Sequence, residues 1–200
     1  MKKNWSDELG KANCCSSDTH GLLRPEVVEA IAGCDAIIHG GDINKPEITE
    51  RLQEIAPVYV VRGNNDKEWA EHIPATLTFQ IEDCRFFLVH NKKEVPKDLT
   101  GIDAVIFGHS HRYFEQVIDG RLWLNSGSCG KRRFDQEITL AILTVDGSTL
   151  STQKVAFSPD EHQQQTCPRK MLCYSFRIAQ HFSFCAHHVI SSKERFKKFF

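Results

Sequence analysis

His109 and His111 are two residues apart and follow a glycine at the end of an apolar run, Asp103-Ala104-Val105-Ile106-Phe107-Gly108. At that spacing, on an extended or turning segment, both imidazoles can face one centre, and neutral imidazole is the commonest protein metal ligand. Alone, such a pair reads as two solvated side chains in a polar turn. Its weight comes from repetition along the chain. Asp18 and His20 follow a short run ending in Ser17, Asp42 follows Gly40-Gly41, Asn64 lies in Arg62-Gly63-Asn64-Asn65-Asp66, and His90 closes another apolar run. Mixed imidazole and carboxylate donors suit Mn²⁺, Fe, Zn²⁺ or Ni²⁺ better than Ca²⁺ or Mg²⁺. Seven such donors exceed the needs of one ion. Two ions sharing a carboxylate, ~3.5–4 Å apart, match the set better.

These side chains need strands to carry them to a common edge, because groups at the C-terminal ends of sheet strands gather into one site. Cys34-Asp35-Ala36-Ile37-Ile38-His39 and the β-branched Val58-Tyr59-Val60-Val61 read as such strands. Ala12–Ser17 reads as a poor one. Thr76–Ile81 and Arg85–Val89 form a hairpin around Glu82-Asp83-Cys84. Phe114–Ile118 and Leu122–Leu124 pair across Asp119-Gly120, with Asn125-Ser126-Gly127-Ser128 closing the hairpin. Ile138–Val145 and Leu150–Phe157 pair across Asp146-Gly147. Helices are expected from Pro25, with Val27, Val28, Ile31 and Ala32 on one face and Gly33 as the stop, and from Pro46 to Ile55. The charged stretch Lys92–Thr100 suggests a short helix. Three regions follow: an irregular segment 1–11, a domain 12–157, and a tail 158–200 without helical or strand period.

Composition narrows the function classes. With 200 residues, 40% of them hydrophobic and 26% charged, the chain can build one domain with a real core. A net charge of −1 argues against nucleic acid as the ligand. No apolar run approaches the ~20 residues of a membrane span, and Met1–Asp7 lacks a signal-peptide core. The eight cysteines form no C-x-x-C pair and read as reduced thiols of a cytoplasmic protein.

In order, Asp18-x-His20, Gly41-Asp42, Gly63-Asn64-x-Asp66, His90 and Gly108-His109-x-His111 resemble the calcineurin-like metallophosphoesterases, over about Ser17–Phe157. The Ser17-Asp18-Thr19-His20-Gly21 opening is similar to that of the small phosphodiesterases of the YfcE type. The resemblance implies an α/β fold, a two-sheet α/β/β/α metallophosphoesterase sandwich. It implies two divalent ions per chain, with Mn²⁺ the expected activator. Asp18, His20 and His111 would hold the first ion, Asn64, His90 and His109 the second, and Asp42 would bridge them. A hydroxide held between the ions would attack a phosphate diester, with Asp42, Asn64 and His90 as catalytic groups. The partner would be a small phosphate ester, and exposed hairpin edges allow a homodimer. A non-catalytic scaffold is the alternative, since the phosphoesterase-fold subunit of the retromer coat is a binding module. A phosphomonoesterase is a third reading. Ligand completeness favours the enzyme, because a scaffold need not retain all seven positions.

Two positions depart from the family pattern. Lys11-Ala12-Asn13-Cys14-Cys15-Ser16-Ser17 replaces an apolar strand. Asn65 stands where many relatives carry a histidine that protonates the leaving group, a role worth ~10²–10⁴-fold. Other polar residues read as structural. His39 and His72 match no motif position, and Asp35, Asp83, Asp103 and Asp119 fit turns. Arg62 could meet phosphate or pair with a carboxylate. Lys131-Arg132-Arg133 reads first as a solvated loop and second as an anion contact. In the tail, Cys167, Cys173, Cys185, His181, His187 and His188 match no zinc spacing.

Overall fold

The computed structural model describes residues 10–158 except Phe134. The tail histidines and cysteines, and the segment before Gly10, lie outside these residues.

Strands β1 (Lys11–Ser16), β2 (Ala36–His39) and β3 (Val58–Val60) alternate with helices α1 (Pro25–Ile31) and α2 (Pro46–Gln53). Each helix begins with proline, whose fixed φ suits the first turn and whose missing N–H costs nothing there. The second half runs through β4 (Thr76–Ile81), β5 (Cys84–Val89), β6 (Ala104–Phe107), β7 (Tyr113–Ile118), β8 (Arg121–Ser126), β9 (Ile138–Asp146) and β10 (Thr149–Phe157). Two five-stranded sheets result, with orders β10-β9-β1-β2-β3 and β4-β5-β6-β8-β7. In each sheet three adjacent strands run parallel, β1-β2-β3 and β5-β6-β8. The site residues follow the C-terminal ends of these parallel strands.

The core between the sheets combines Cys15, Ile38, Ala141 and Leu143 of the first with Phe86, Leu88, Ile106 and Leu124 of the second. On the other face of the first sheet, Cys14, Ile37 and Leu140 meet Val27 and Ile31 of α1 and Ile48 and Leu52 of α2. The outer face of the second sheet, with Val89, Val105 and Phe107, is packed by Val95, Leu99 and Ile102. The helix expected over Lys92–Thr100 shrinks to one 3₁₀ turn, Lys92–Glu94. The bulk of this layer is loop.

β1, expected as a poor strand over Ala12–Ser17, forms over Lys11–Ser16. Its sequence is poor for a strand, yet it lies at the centre of its sheet, parallel to β2 and antiparallel to β9. Cys14 and Cys15 are fully buried and serve opposite faces as small hydrophobes. The Asn13 amide donates to the Lys11 and Leu143 carbonyls, satisfying part of a polar group in the core. Pairing on both sides and burial override propensity here.

Candidate metal centre

Asp18, His20, Asp42, His109 and His111 all adopt left-handed backbone conformations, with φ between 46° and 70°. Such conformations cost non-glycine residues energy and persist only where surrounding structure imposes them. Each lies where the chain leaves a parallel strand and must turn at once. Close backbone approach supports the turns. A Cβ on Gly63 would lie 2.1 Å from Asp42 Oδ1, and one on Gly41 would lie 2.9 Å from His90 Nδ1.

Four side chains meet on one side. His20 Nε2 and His111 Nε2 are 3.1 Å apart, and their rings stack. Asp18 Oδ1 lies 3.3 Å from His111 Nε2 and 3.9 Å from His20 Nε2. Asp42 Oδ2 lies 3.7 Å from His20 Nε2. On the other side, His90 Nε2 is 3.5 Å from the same Asp42 oxygen and 3.1 Å from Asn64 Oδ1. His109 Nδ1 is 3.0 Å from Asn64 Oδ1 and 3.3 Å from His90 Nε2. All seven residues expected from the sequence therefore converge.

The donor chemistry fits cations. Donors sharing an ion at about 2.0–2.2 Å must themselves approach to about 3 Å. Asp18-His20-His111 and Asp18-Asp42-His90 are buried groups with the geometry to hold a metal ion. Asp18 Oδ1 is buried with no hydrogen-bond donor, a costly state for a carboxylate oxygen unless a cation meets it. His90 Nδ1 lies 2.7 Å from the Gly40 carbonyl. A carbonyl only accepts, so Nδ1 carries a proton and Nε2 is the ring nitrogen turned to the site.

Electrostatics follow the same lines. Burial works against the charge on Asp42, but hydrogen bonds from His90 and from Asn65 outweigh it and hold the carboxyl well below the usual range. Burial also disfavours the His90 cation, yet Asp42 raises that group above its ordinary value. Burial lowers His20, and the nearby Arg133 guanidinium adds to the effect.

A surrounding set of residues makes contacts that the sequence did not indicate. Asn65 donates from its backbone N–H to Asp42 Oδ1 (2.8 Å) and from its amide to Oδ2 (2.6 Å). Asp66 accepts from the backbone N–H groups of Ile43, Asn44 and Gly63, binding two strand-end turns together. His39 accepts from Gly41 N–H at Nδ1, so its Nε2–H faces Thr19 Oγ1. Burial pushes this imidazole down to about 4. The Ser17 hydroxyl lies 2.7 Å from Asp18 Oδ2, and Ser128 Oγ donates to the Asp18 carbonyl. Asn125 donates to the Gly108 carbonyl and accepts from Gly127 N–H. The polar strand end Asn125-Ser126-Gly127-Ser128, with the same form as the ligand-bearing ends, was the available signal. Arg62 takes neither expected role, since its guanidinium turns to the Glu71 and Ile73 carbonyls. A cavity of ≈ 220 Å³ opens beside His111, lined in part by Arg112, Tyr113, Gln136 and Lys154.

Residues 14–148 match the calcineurin-like phosphoesterase superfamily domain, and the chain belongs to that family. It is 31% identical over 151 residues to a probable metallophosphoesterase of Methanothermobacter thermautotrophicus, covering 68% of this chain and 87% of the relative. It is 31% identical over 136 residues to the phosphodiesterase MJ0936 of Methanocaldococcus jannaschii, covering 56% of this chain and 81% of the relative. Among solved structures, the phosphoesterase YfcE of E. coli superposes with a TM-score of 0.55 at 22% identity, over 74% of this chain and all of that one. Vps29 of Chaetomium thermophilum shares the fold, with a TM-score of 0.60 at 13% identity, over 74% of this chain and 98% of that one. Among the described residues no helix is long and apolar enough to cross a membrane.

Proposed function

We propose that this protein is a dinuclear, metal-dependent phosphodiesterase, with Mn²⁺ its expected activator. The observation that carries this reading is the position of Asp42. One of its carboxylate oxygens lies between His20 Nε2 at 3.7 Å and His90 Nε2 at 3.5 Å, where a single carboxylate can serve both donor groups. Asp18, His20 and His111 would hold one ion, Asn64, His90 and His109 the other, with Asp42 between. Divalent ions there would supply an activated water as nucleophile and offset charge on the phosphoryl oxygens.

The protein's own groups prepare the rest. Asn65 keeps Asp42 ionised and oriented. Asn64 is exposed and aims its carbonyl oxygen at His90 and His109, which leaves its NH₂ to donate to a phosphate oxygen. A monoester would bring extra negative charge beside Asp18 and Asp42, so diesters are preferred. Since the Asn65 amide is committed to Asp42 and does not titrate, no histidine at this position protonates the departing oxygen.

The test joins elemental analysis to a leaving-group series at fixed Mn²⁺. Two ions per chain are expected, with aryl diesters such as bis-p-nitrophenyl phosphate turned over far faster than alkyl diesters. Less than one ion after Mn²⁺ loading would sink the dinuclear reading. A flat dependence on leaving-group pKa would show that another acid operates. The likeness to Vps29 supports a second reading, a scaffold on the same fold. A metal-loaded protein inert toward every phosphate ester would favour it.

A further inference from the structure

Between Ser128 and Ile138 the chain makes an excursion that carries Lys131, Arg132 and Arg133. Both of its ends are anchored. Ser128 and Ile138 form an isolated bridge, and Thr139 N–H donates to the Ser128 carbonyl. At its base, Gly130 presses on the turn bearing the first two candidate ligands, where a Cβ would lie 2.0 Å from the Thr19 carbonyl oxygen. Arg24 Nε donates to the Gly130 carbonyl and fixes this base. The exposed Arg133 reaches His20 from here, its Nη2 3.5 Å from His20 Nδ1. Among the described residues it is the one cationic side chain within hydrogen-bond distance of a candidate ligand.

The contact is chemically revealing. A guanidinium only donates, so Arg133 can bond to His20 Nδ1 only while that atom has a free lone pair. The proton then sits on Nε2, the atom facing His111, Asp18 and Asp42. An Nε2 that gives its lone pair to a cation leaves the proton on Nδ1, and two donors then oppose each other at 3.5 Å. Occupation of the site therefore frees the guanidinium, and its best remaining partner there is an anion.

We propose that Arg133 is a substrate-positioning residue whose guanidinium binds the non-bridging oxygens of the substrate phosphate on the His20 side of the site. This rests on the phosphoester reading of the same site. Planar paired N–H donors match a phosphoryl group in a way that a lysine ammonium does not.

The experiment uses the full-length, Mn²⁺-loaded protein, with inorganic phosphate as probe in calorimetry and bis-p-nitrophenyl phosphate in kinetics. Arg133→Ala should weaken phosphate binding by roughly tenfold to a hundredfold, raise KM by a similar factor, and leave metal content unchanged. Arg133→Lys should recover part of the affinity, and Lys131→Ala should behave as the parent. Unchanged phosphate affinity in Arg133→Ala overturns the assignment, and so does loss of metal, which would make Arg133 a support for His20. A parent protein that binds phosphate but hydrolyses no ester overturns the phosphodiesterase reading while leaving Arg133 as the anion ligand. A parent that takes up no metal overturns both.

Discussion

The two halves of the centre are built differently. Asp18, His20 and His111 are buried, and the two rings stack face to face at 5.0 Å. Ser17 and Ser128 brace Asp18 from both sides. In the other half Asn64 and His109 are exposed, and the His109 ring meets His90 edge-on at 5.1 Å. Only His90 is buried there, held by the Gly40 carbonyl. The buried half is shielded from bulk solvent, where charge interactions are strong. The open half faces water and any arriving ester. Asp42 lies at the seam between them, so a change there should damage both.

The largest effect is accordingly expected from Asp42→Asn. Turnover should fall by more than the roughly 10–100-fold typical of changes outside the ligand set, while far-UV circular dichroism stays the same. Near-normal turnover would remove Asp42 from the seam. Next comes the asymmetry itself. In the two-ion reading proposed above, His20→Ala should remove the ion of the buried half, whereas Asn64→Ala should spare it and weaken the ion of the open half. Titration against a metal chelator reads both, and identical profiles for the two variants would break the comparison. Asn65→Ala should cost about 10–100-fold in turnover by releasing the Asp42 carboxylate. An unchanged rate would show that the two Asn65 hydrogen bonds are dispensable.

The smallest effect concerns His39, buried beneath the turns and held neutral. Its pKa in the fold is about 4 against an ordinary 6.5. Between those values the unfolded chain binds more protons than the folded one. The stability from keeping His39 neutral is therefore complete above about pH 6.5 and is lost as pH falls toward 4, by at most about 3 kcal/mol. Denaturant midpoints at pH 7.5 and 5 should differ less in His39→Gln than in the parent. An equal difference would show that other groups carry the pH dependence.

The positions of the seven donors were legible from local patterns, because Asp42, Asn64, His90, His109 and His111 follow apolar runs, and Asp18 and His20 fall in the Ser17-Asp18-Thr19-His20-Gly21 motif. β2 and β3 were legible for the same reason, being compact and β-branched. β1 was legible only as a poor strand, because Asn13, Cys14 and Cys15 are held in a central strand by β9, more than a hundred residues away in sequence. The contacts of Asp66, Ser128 and Arg133 were not legible for a related cause. Their partners, Asn44, Asp18 and His20, come from distant segments, and no spacing rule links them. His39 read correctly as structural, but its bond to the Gly41 N–H emerges only once the strand end has turned.

The left-handed backbone at Asp18, His20, Asp42, His109 and His111, with the buried Asp18 oxygen that accepts no hydrogen bond, has a consequence for abundance in the cell. In the proposed reading these turns store energy that bound cations would return, so the unmetallated fold is the weaker one. An ion at one hundred times its dissociation constant adds about 2.7 kcal/mol to a fold that binds it only in the native state. Scarcity of the ion would then shorten the lifetime of the polypeptide as well as silence it, because marginally folded chains are cleared by proteases. Cellular levels of this protein should track the supply of its metal even where transcription is constant.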